Sequence, residues 1–238
     1  SSTSGTYACS VSGPPMTTAR IRVSWPTDTS VTDTSDTDFK ILSRTTVTAP
    51  NSAVTWGAGS QRTVSWSHNL GVGGLVDIDF SPDAGAAWIR LASSVSSSAA
   101  TTGSYTGAMP ATVTTQALIR VSPVGDVTLG DVSNVVFTLA APKVTVSAPN
   151  TNVAWGIGTA QSIKWSHNLG TLESVRIELA RDGINYTEAL ATTRNSAATS
   201  GTYNWTVTGP ATSTAKVRVT WPTRTTVTDE SNVTFRIP

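Results

Sequence analysis

Two stretches of the chain share one alternation of apolar and polar positions. Val76, Ile78 and Phe80 alternate with Asp77 and Asp79, and Val175, Ile177 and Leu179 alternate with Arg176 and Glu178. A period of two places one side of each stretch against a core and the other toward water, which predicts half-buried β-strands. Further on, Ala117, Ile119 and Val121 oppose Leu118 and Arg120, and Ala215, Val217 and Val219 oppose Lys216 and Arg218. No segment of ten or so residues holds a 3.6-residue period, so helices are not expected. Short strands separated by Gly, Pro, Asn and Asp, about seven to each ~98 residues, describe two-sheet sandwiches. Trp66 and Trp165 follow Val64 and Ile163 by two positions. That parity turns both indoles inward as core anchors.

The pattern repeats. TVTAPN at 46–51 returns as TVSAPN at 145–150, and WSHNLG returns from Trp66 at Trp165, 99 positions on. After a one-residue deletion near Asp83 and Asp182 the offset is 98, as IRVS at 119–122 against VRVT at 217–220 shows. The N-terminus aligns without a gap 196 positions on, SGTY at Ser4 with SGTY at Ser200 and SWPT at Ser24 with TWPT at Thr220. Self-similarity at a fixed period marks a repeat architecture. The expected organisation is the C-terminal half of a repeat at 1–42 and complete repeats at 43–140 and 141–238. The junctions, Ile41 to Arg44 and Leu139 to Lys143, hold no Gly/Ser run, so the units are expected to follow one another with limited bending. Tyr7, Ile21, Val23, Phe39 and Ile41 of the half repeat would line an open apolar face unless upstream chain or another subunit covers it.

Composition narrows the partners. The chain carries 16 Lys and Arg against 15 Asp and Glu, with 13% charged residues, so no basic excess is present to hold a phosphate backbone, and nucleic acid is not expected as a partner. No stretch approaches the ~18 apolar residues of a membrane span, and no membrane insertion of this segment is expected. Cys9 is the sole cysteine, which excludes an intrachain disulfide.

The set of motifs is specific enough to suggest kinship. An opening (T/S)-V-(T/S)-A-P-N, a W-x-x-G turn, a central strand ending in Trp, a D-G hairpin, G-(S/T)-Y, A-x-(I/V)-R-V and a closing D-x-S-N-V-x-F make up the pattern. Together they resemble the Ser/Thr-rich cell-wall domain of the yeast glucan-assembly type, a module also repeated in bacterial and archaeal surface proteins. The resemblance implies tandem immunoglobulin/fibronectin-III-like β-sandwiches, an extracellular or cell-surface location, and a spacer or surface role. Departures exist: SPDAGAAW at 81–88 stands against ARDGINY at 180–186, and Gly107 stands where the other copies have Trp205 and Cys9.

The remaining candidates read as scaffolding. SPDAGAAW resembles an Asp-box, in which Asp83 caps a hairpin turn and Trp88 packs beneath it, and Asp182 takes the same turn position. Trp66, Trp165, Tyr105 and Tyr203 complete the expected structural core. His68 and His167 occupy one equivalent position, and Ser67 beside His68 on a strand faces the opposite way, which rejects a Ser-His pair. Each is expected to make a loop hydrogen bond that ends the strand. Ligand spacing for zinc or calcium is absent, and no metal or cofactor is expected. Cys9, in the parity of Tyr7 and Val11, is expected to be a small buried hydrophobe. Asn185, Asn204 and Asn232 lie in N-x-(S/T) sequons, acceptors wherever the host glycosylates asparagine.

These readings point to a structural protein and away from an enzyme. The chain is expected to belong to a surface fibre, stalk or adhesin that forms a rod, assembling end to end with copies of itself or adjacent repeats, and by strand complementation at 1–42. The alternative is a carbohydrate-binding or spacer module of a secreted polysaccharide-acting enzyme. It would contact cell-surface polysaccharide through an exposed aromatic strip for which Trp25, Trp221 and Tyr186 are the candidates.

Overall fold

The computed structural model describes residues 4–9, 11 and 14–238; the other six positions, all in the expected half repeat, lie outside the described residues. The chain is all-β, built of tandem immunoglobulin-like sandwiches. Among the described residues twenty-one strands run in sequence: β1 (Met16–Ala19), β2 (Arg22–Trp25), β3 (Asp28–Thr34), β4 (Phe39–Ile41), β5 (Thr45–Ala49), β6 (Thr55–Gly57), β7 (Gln61–His68), β8 (Leu75–Ser81), β9 (Ile89–Ser96), β10 (Thr102–Ala108), β11 (Thr114–Pro123), β12 (Asp131–Val132), β13 (Phe137–Ala140), β14 (Val144–Ala148), β15 (Ala160–His167), β16 (Ser174–Ala180), β17 (Glu188–Arg194), β18 (Ser200–Thr206), β19 (Thr212–Thr220), β20 (Thr228–Glu230) and β21 (Phe235–Ile237). One 3-10 turn, Val127–Leu129, is capped by the Asp126 side chain on Thr128 N.

The chain divides into two compact units whose boundaries cut through the 43–140 repeat. One holds Ser1–Ser52, Val64–Tyr105 and Leu118–Val135; the other holds Ala53–Thr63, Thr106–Ala117 and Val136–Pro238. The second unit contains a whole repeat. Its sheets are β14-β15-β18 and β17-β16-β19-β20, with β21 also paired to β19. The closing segment therefore contributes two strands, which makes eight where about seven were expected. Between the sheets lie Val146, Ile163, Trp165, Val175, Ile177, Leu179, Val217, Val219, Trp221 and Phe235, all at 1% exposure or less. The alternation along β16 and β19 thus buries one face of each strand, as half-buried sheet requires.

Within the first unit, β8 pairs with the end of β11 from Val76↔Pro123 to Ser81↔Leu118, and β5 pairs with β7. Val76, Ile78, Phe80, Ile119 and Val121 are fully buried, and Trp66 is 1% exposed. Opposite Ile78 the pattern departs from simple polar exposure, because Asp79 is 3% exposed and ion-paired to Arg90 at 2.5 Å and Arg120 at 2.9 Å. A buried carboxylate is tolerated there because both arginines compensate it.

The opening and closing motifs hold each other. Asn51 Oδ1 accepts from Asn134 N at 2.6 Å, and Asp131 Oδ2 accepts from Val47 N at 2.8 Å. The last repeat copies both, with Asn150 Oδ1 on Asn232 N at 2.6 Å and Asp229 Oδ2 on Val146 N at 2.7 Å. A-P-N and D-x-S-N, more than eighty residues apart, are two sides of one clasp.

One difference between the repeats bears on stability. Trp165 Nε1 donates to Asn195 Oδ1 at 2.9 Å, and Asn195 Nδ2 donates to Gly170 O at 2.9 Å. The equivalent residue in the preceding repeat is Ser97, whose N–H donates to Gly74 O as Asn195 N–H donates to Glu173 O. Serine is too short to span the gap, and Trp66 Nε1 and Ser97 Oγ are buried with no protein partner. Ser97→Asn is expected to raise the stability of that repeat by about 1 kcal/mol, and Asn195→Ser to cost the last repeat about 1–3 kcal/mol. Urea denaturation followed by tryptophan fluorescence checks both.

Candidate functional site: an asparagine-centred junction

The second unit contains the end of one repeat and the start of the next, and a loop from WSHNLG lies at their contact. β15 ends at His167, whose Nδ1 accepts from Leu169 N at 3.1 Å, and Gly170 with φ 82° turns the chain away. A residue with positive φ in this position favours glycine. The turn presents Asn168 with every polar group engaged. Its Nδ2 donates to Ala141 O and its Oδ1 accepts from Lys143 N, both at 2.9 Å, so the side chain fastens the linker. Its backbone carbonyl accepts from Gly57 N at 2.7 Å and from Arg62 Nη2 at 2.5 Å. A Cβ on Gly57 would lie 2.8 Å from Asn168 Oδ1, so the position after Trp56 needs glycine for this close approach.

Glu173 adds a second tie. Its Oε1 accepts from Gln61 N at 2.8 Å and its Oε2 from Trp221 Nε1 at 2.8 Å. Arg62 is desolvated and its pKa falls to about 10, with Glu173 opposing the fall; its guanidinium stands 5.2 Å from the Trp56 ring centre. In the first unit Asn69 repeats the linker clamp, Nδ2 to Leu42 O at 2.9 Å and Oδ1 from Arg44 N at 2.8 Å. The sequence reading used WSHNLG to find the period and missed Asn69 and Asn168 as clamps. The signal available was an invariant Asn in a turn at both copies, each just across from a Gly-free linker.

The expected site residues fall out as follows. Trp66 and Trp165 are core residues, whereas Tyr105 and Tyr203 are only half-buried. Asp83 Oδ1 accepts from Ala87 N and Ser81 Oγ, both at 2.8 Å, and these bonds lower its pKa. Asp182 accepts from Ile184 N and Asn185 N, and its pKa falls to about 2 through those backbone bonds. Trp88 is not a core residue. It lies half-exposed under the guanidinium of Arg120, 4.2 Å from its ring centre, just as Tyr186 lies under Arg218. His68 and His167 accept a loop N–H through Nδ1, and their Nε2 atoms are buried without a protein partner.

Three expectations are corrected. Cys9 is exposed, because the face it would share with Tyr7 is uncovered. Trp221 is 1% exposed and bonded to Glu173, since β19 runs on to carry it into the core, so it belongs to no surface strip. Tyr186 is covered by Arg218 and donates to Glu230 at 2.5 Å; burial first, then that carboxylate, raises its pKa. Of the three aromatics only Trp25, 56% exposed, faces solvent. Among the sequons, Asn185, Asn204 and Asn232 are all exposed; Asn185 is tied to Asp182 and Asn204 to Ser162. Among the described residues no group of three His, Cys, Asp or Glu could hold a metal ion, and no helix is long and apolar enough to cross a membrane.

No family model and no curated protein matches the chain. Solved structures it resembles include the Clostridium thermocellum CbhA fibronectin(III)-like modules, at 18% identity over 81% of this chain and 92% of that one, TM-score 0.24. The teleost fish polymeric Ig receptor ectodomain is 10% identical over 82% and 99%, TM-score 0.29, and the titin Ig tandem A164-A165 is 14% identical over 83% and 99%, TM-score 0.28. Scores this low say nothing about what the chain binds.

Two outcomes are expected of the junction. Asn168→Ala removes both linker anchors, so exchange of the Lys143 amide should accelerate by about tenfold, the worth of one hydrogen bond of ~1.4 kcal/mol. Hydrogen exchange read by NMR tests this. His167 has its pKa lowered, first by burial and also by Arg62. A base depressed in the folded state binds protons more readily when unfolded, so its contribution to stability is whole above the unfolded value of about 6.5 and is lost as pH falls below it. Melting temperature should drop across this window, and His167→Asn, which keeps an acceptor for Leu169 N, should flatten that step.

Proposed function

We propose that the chain is a segment of an extracellular surface fibre, stalk or adhesin, in which immunoglobulin-like repeats serve as building material joined end to end. The observation that carries this reading is the Asn168 junction: the linker is fastened by a side chain, and main-chain atoms of consecutive repeats bond directly. Such a joint limits slack between modules, which suits a load-bearing array. The corresponding turn of the last repeat supports continuation of the same contact. Ile157 is 49% exposed where its counterpart Ala58 is fully buried, and Gly156 keeps the glycine of Gly57 although no neighbouring repeat presses on it. The scaffolding roles of Asp83, Asp182 and the two histidines point the same way, as structural chemistry rather than catalysis.

The test is electron microscopy of the native surface material with an antibody raised against residues 141–238. Labels spaced along a fibre or stalk are the expected result. Labelling confined to isolated soluble particles would overturn the proposal.

A further inference from the structure

Residues 16–41 are folded in the register of a complete repeat. Arg22↔Thr34, Val23↔Asp33 and Ser24↔Thr32 reproduce Arg218↔Glu230, Val219↔Asp229 and Thr220↔Thr228, and Ala19↔Phe39 reproduces Ala215↔Phe235. The Ser35 hydroxyl accepts from Ile21 N at 3.2 Å as that of Ser231 accepts from Val217 N at 3.1 Å. What differs is the cover. Ile21, Val23 and Trp25 are 54%, 71% and 56% exposed, whereas Val217, Val219 and Trp221 are 0%, 0% and 1% exposed. In the last repeat that face is closed by the first half, with Val146, Ile163 and Trp165 on the facing sheet and Ile177 beside Val219 in the same sheet.

We propose that the face of residues 16–41 seats an additional first half of the same repeat, and that Trp25 selects which kind. The proposal rests on the array reading above. In the last repeat, Trp221 and Glu173 form a buried pair, indole N–H to carboxylate, at 2.8 Å. In the 43–140 repeat both positions change together: Pro123 replaces the tryptophan and Gly74 replaces the glutamate. The joint change has a physical reason, since a buried indole N–H without an acceptor and a buried carboxylate without a donor are both costly. Trp25 belongs to the tryptophan class. The occupant therefore carries a carboxylate at the position of Glu173, on a strand pattern of A-P-N followed by V-x-W-S-H-N.

The test joins residues 141–199 directly to Ser4 of the full chain; Ser4 aligns with Ser200, so no linker is needed. Amides of 16–41 should exchange at least about a hundredfold more slowly than in the 238-residue chain, as locally open elements do once they join a core. Glu173→Gly in the added segment should lose about tenfold of that protection when residue 25 is Trp, the worth of a charged hydrogen bond, and lose none in a Trp25→Pro background. As a second variant, residues 43–101, which bring Gly74, should protect less than 141–199. Unchanged exchange at 16–41 with both added segments would overturn the proposal without touching the Asn168 junction. Protection insensitive to the glutamate in either background would overturn the selection by Trp25 while leaving the array reading in place.

Discussion

In the last repeat the core closes between two sheets whose strands come from its whole length, and its opening and closing motifs, more than eighty residues apart, are bonded to each other. β15 and β16 each present one greasy face, as β18 and β19 do, and the core lies between the two sheets. The clasp of A-P-N with D-x-S-N sits where this long-range closure is made, and it satisfies backbone donors at Val47, Val146, Asn134 and Asn232 that would otherwise be left beside the core. Apolar burial supplies the driving force, at about 25 cal/mol per Å², but it is indifferent to register. The clasp fixes register, because a slip of one residue would turn every inward side chain outward. Both motifs return in each of the two complete repeats, as A-P-N at 49–51 and 148–150 and as D-x-S-N at 131–134 and 229–232.

Outside the clasp the copies diverge in linked pairs. Asn195 bonds to Trp165, whereas Ser97 leaves Trp66 unsatisfied. Glu173 bonds to Trp221, whereas Gly74 accompanies Pro123. Asp79 and Trp88 hold Arg120 as Glu178 and Tyr186 hold Arg218. Two of these substitutions preserve satisfaction of buried polar groups, and one does not. Buried polar networks are stable when complete and weak when half made, so the 43–140 repeat carries a local weakness that its neighbour lacks.

Much of the fold was legible in the sequence, because alternation of period two and an internal period near 98 are properties of spacing alone. Val64, Val76, Ile119, Val217 and Val219 lie where parity places them. Parity does not report cover, however. Tyr7, Cys9 and Val23 have inward parity and stand exposed, since parity says which way a side chain leaves its strand and nothing about whether a second sheet is there to meet it. Local rules misled at Trp221 for the opposite reason: a residue before proline at a strand end reads as rim, yet the pairing of β19 with β16 extends to Thr220 and carries the indole into the core. The junction was hidden because its bonds use backbone atoms, which leave no compositional trace; only Asn168, repeating Asn69, marked it.

That reliance on backbone atoms bears on what the contact is suited to do. Gly57 N–H and the Asn168 carbonyl meet whatever side chains the repeats carry, and beyond that bond the joint asks for a glycine at the turn and an asparagine that fastens the linker. A recognition surface built from side chains would have to co-evolve at every joint of an array. A joint in which side chains bond to main-chain atoms of the neighbouring segment lets that segment drift in sequence and still connect, while Glu173 and Arg62 distinguish one joint from another. Sequence drift with preserved connection is visible across the two complete repeats, in which Gly74 and Gln161 stand opposite Glu173 and Arg62 while the asparagines of clasp and clamp and the glycine of the turn are kept.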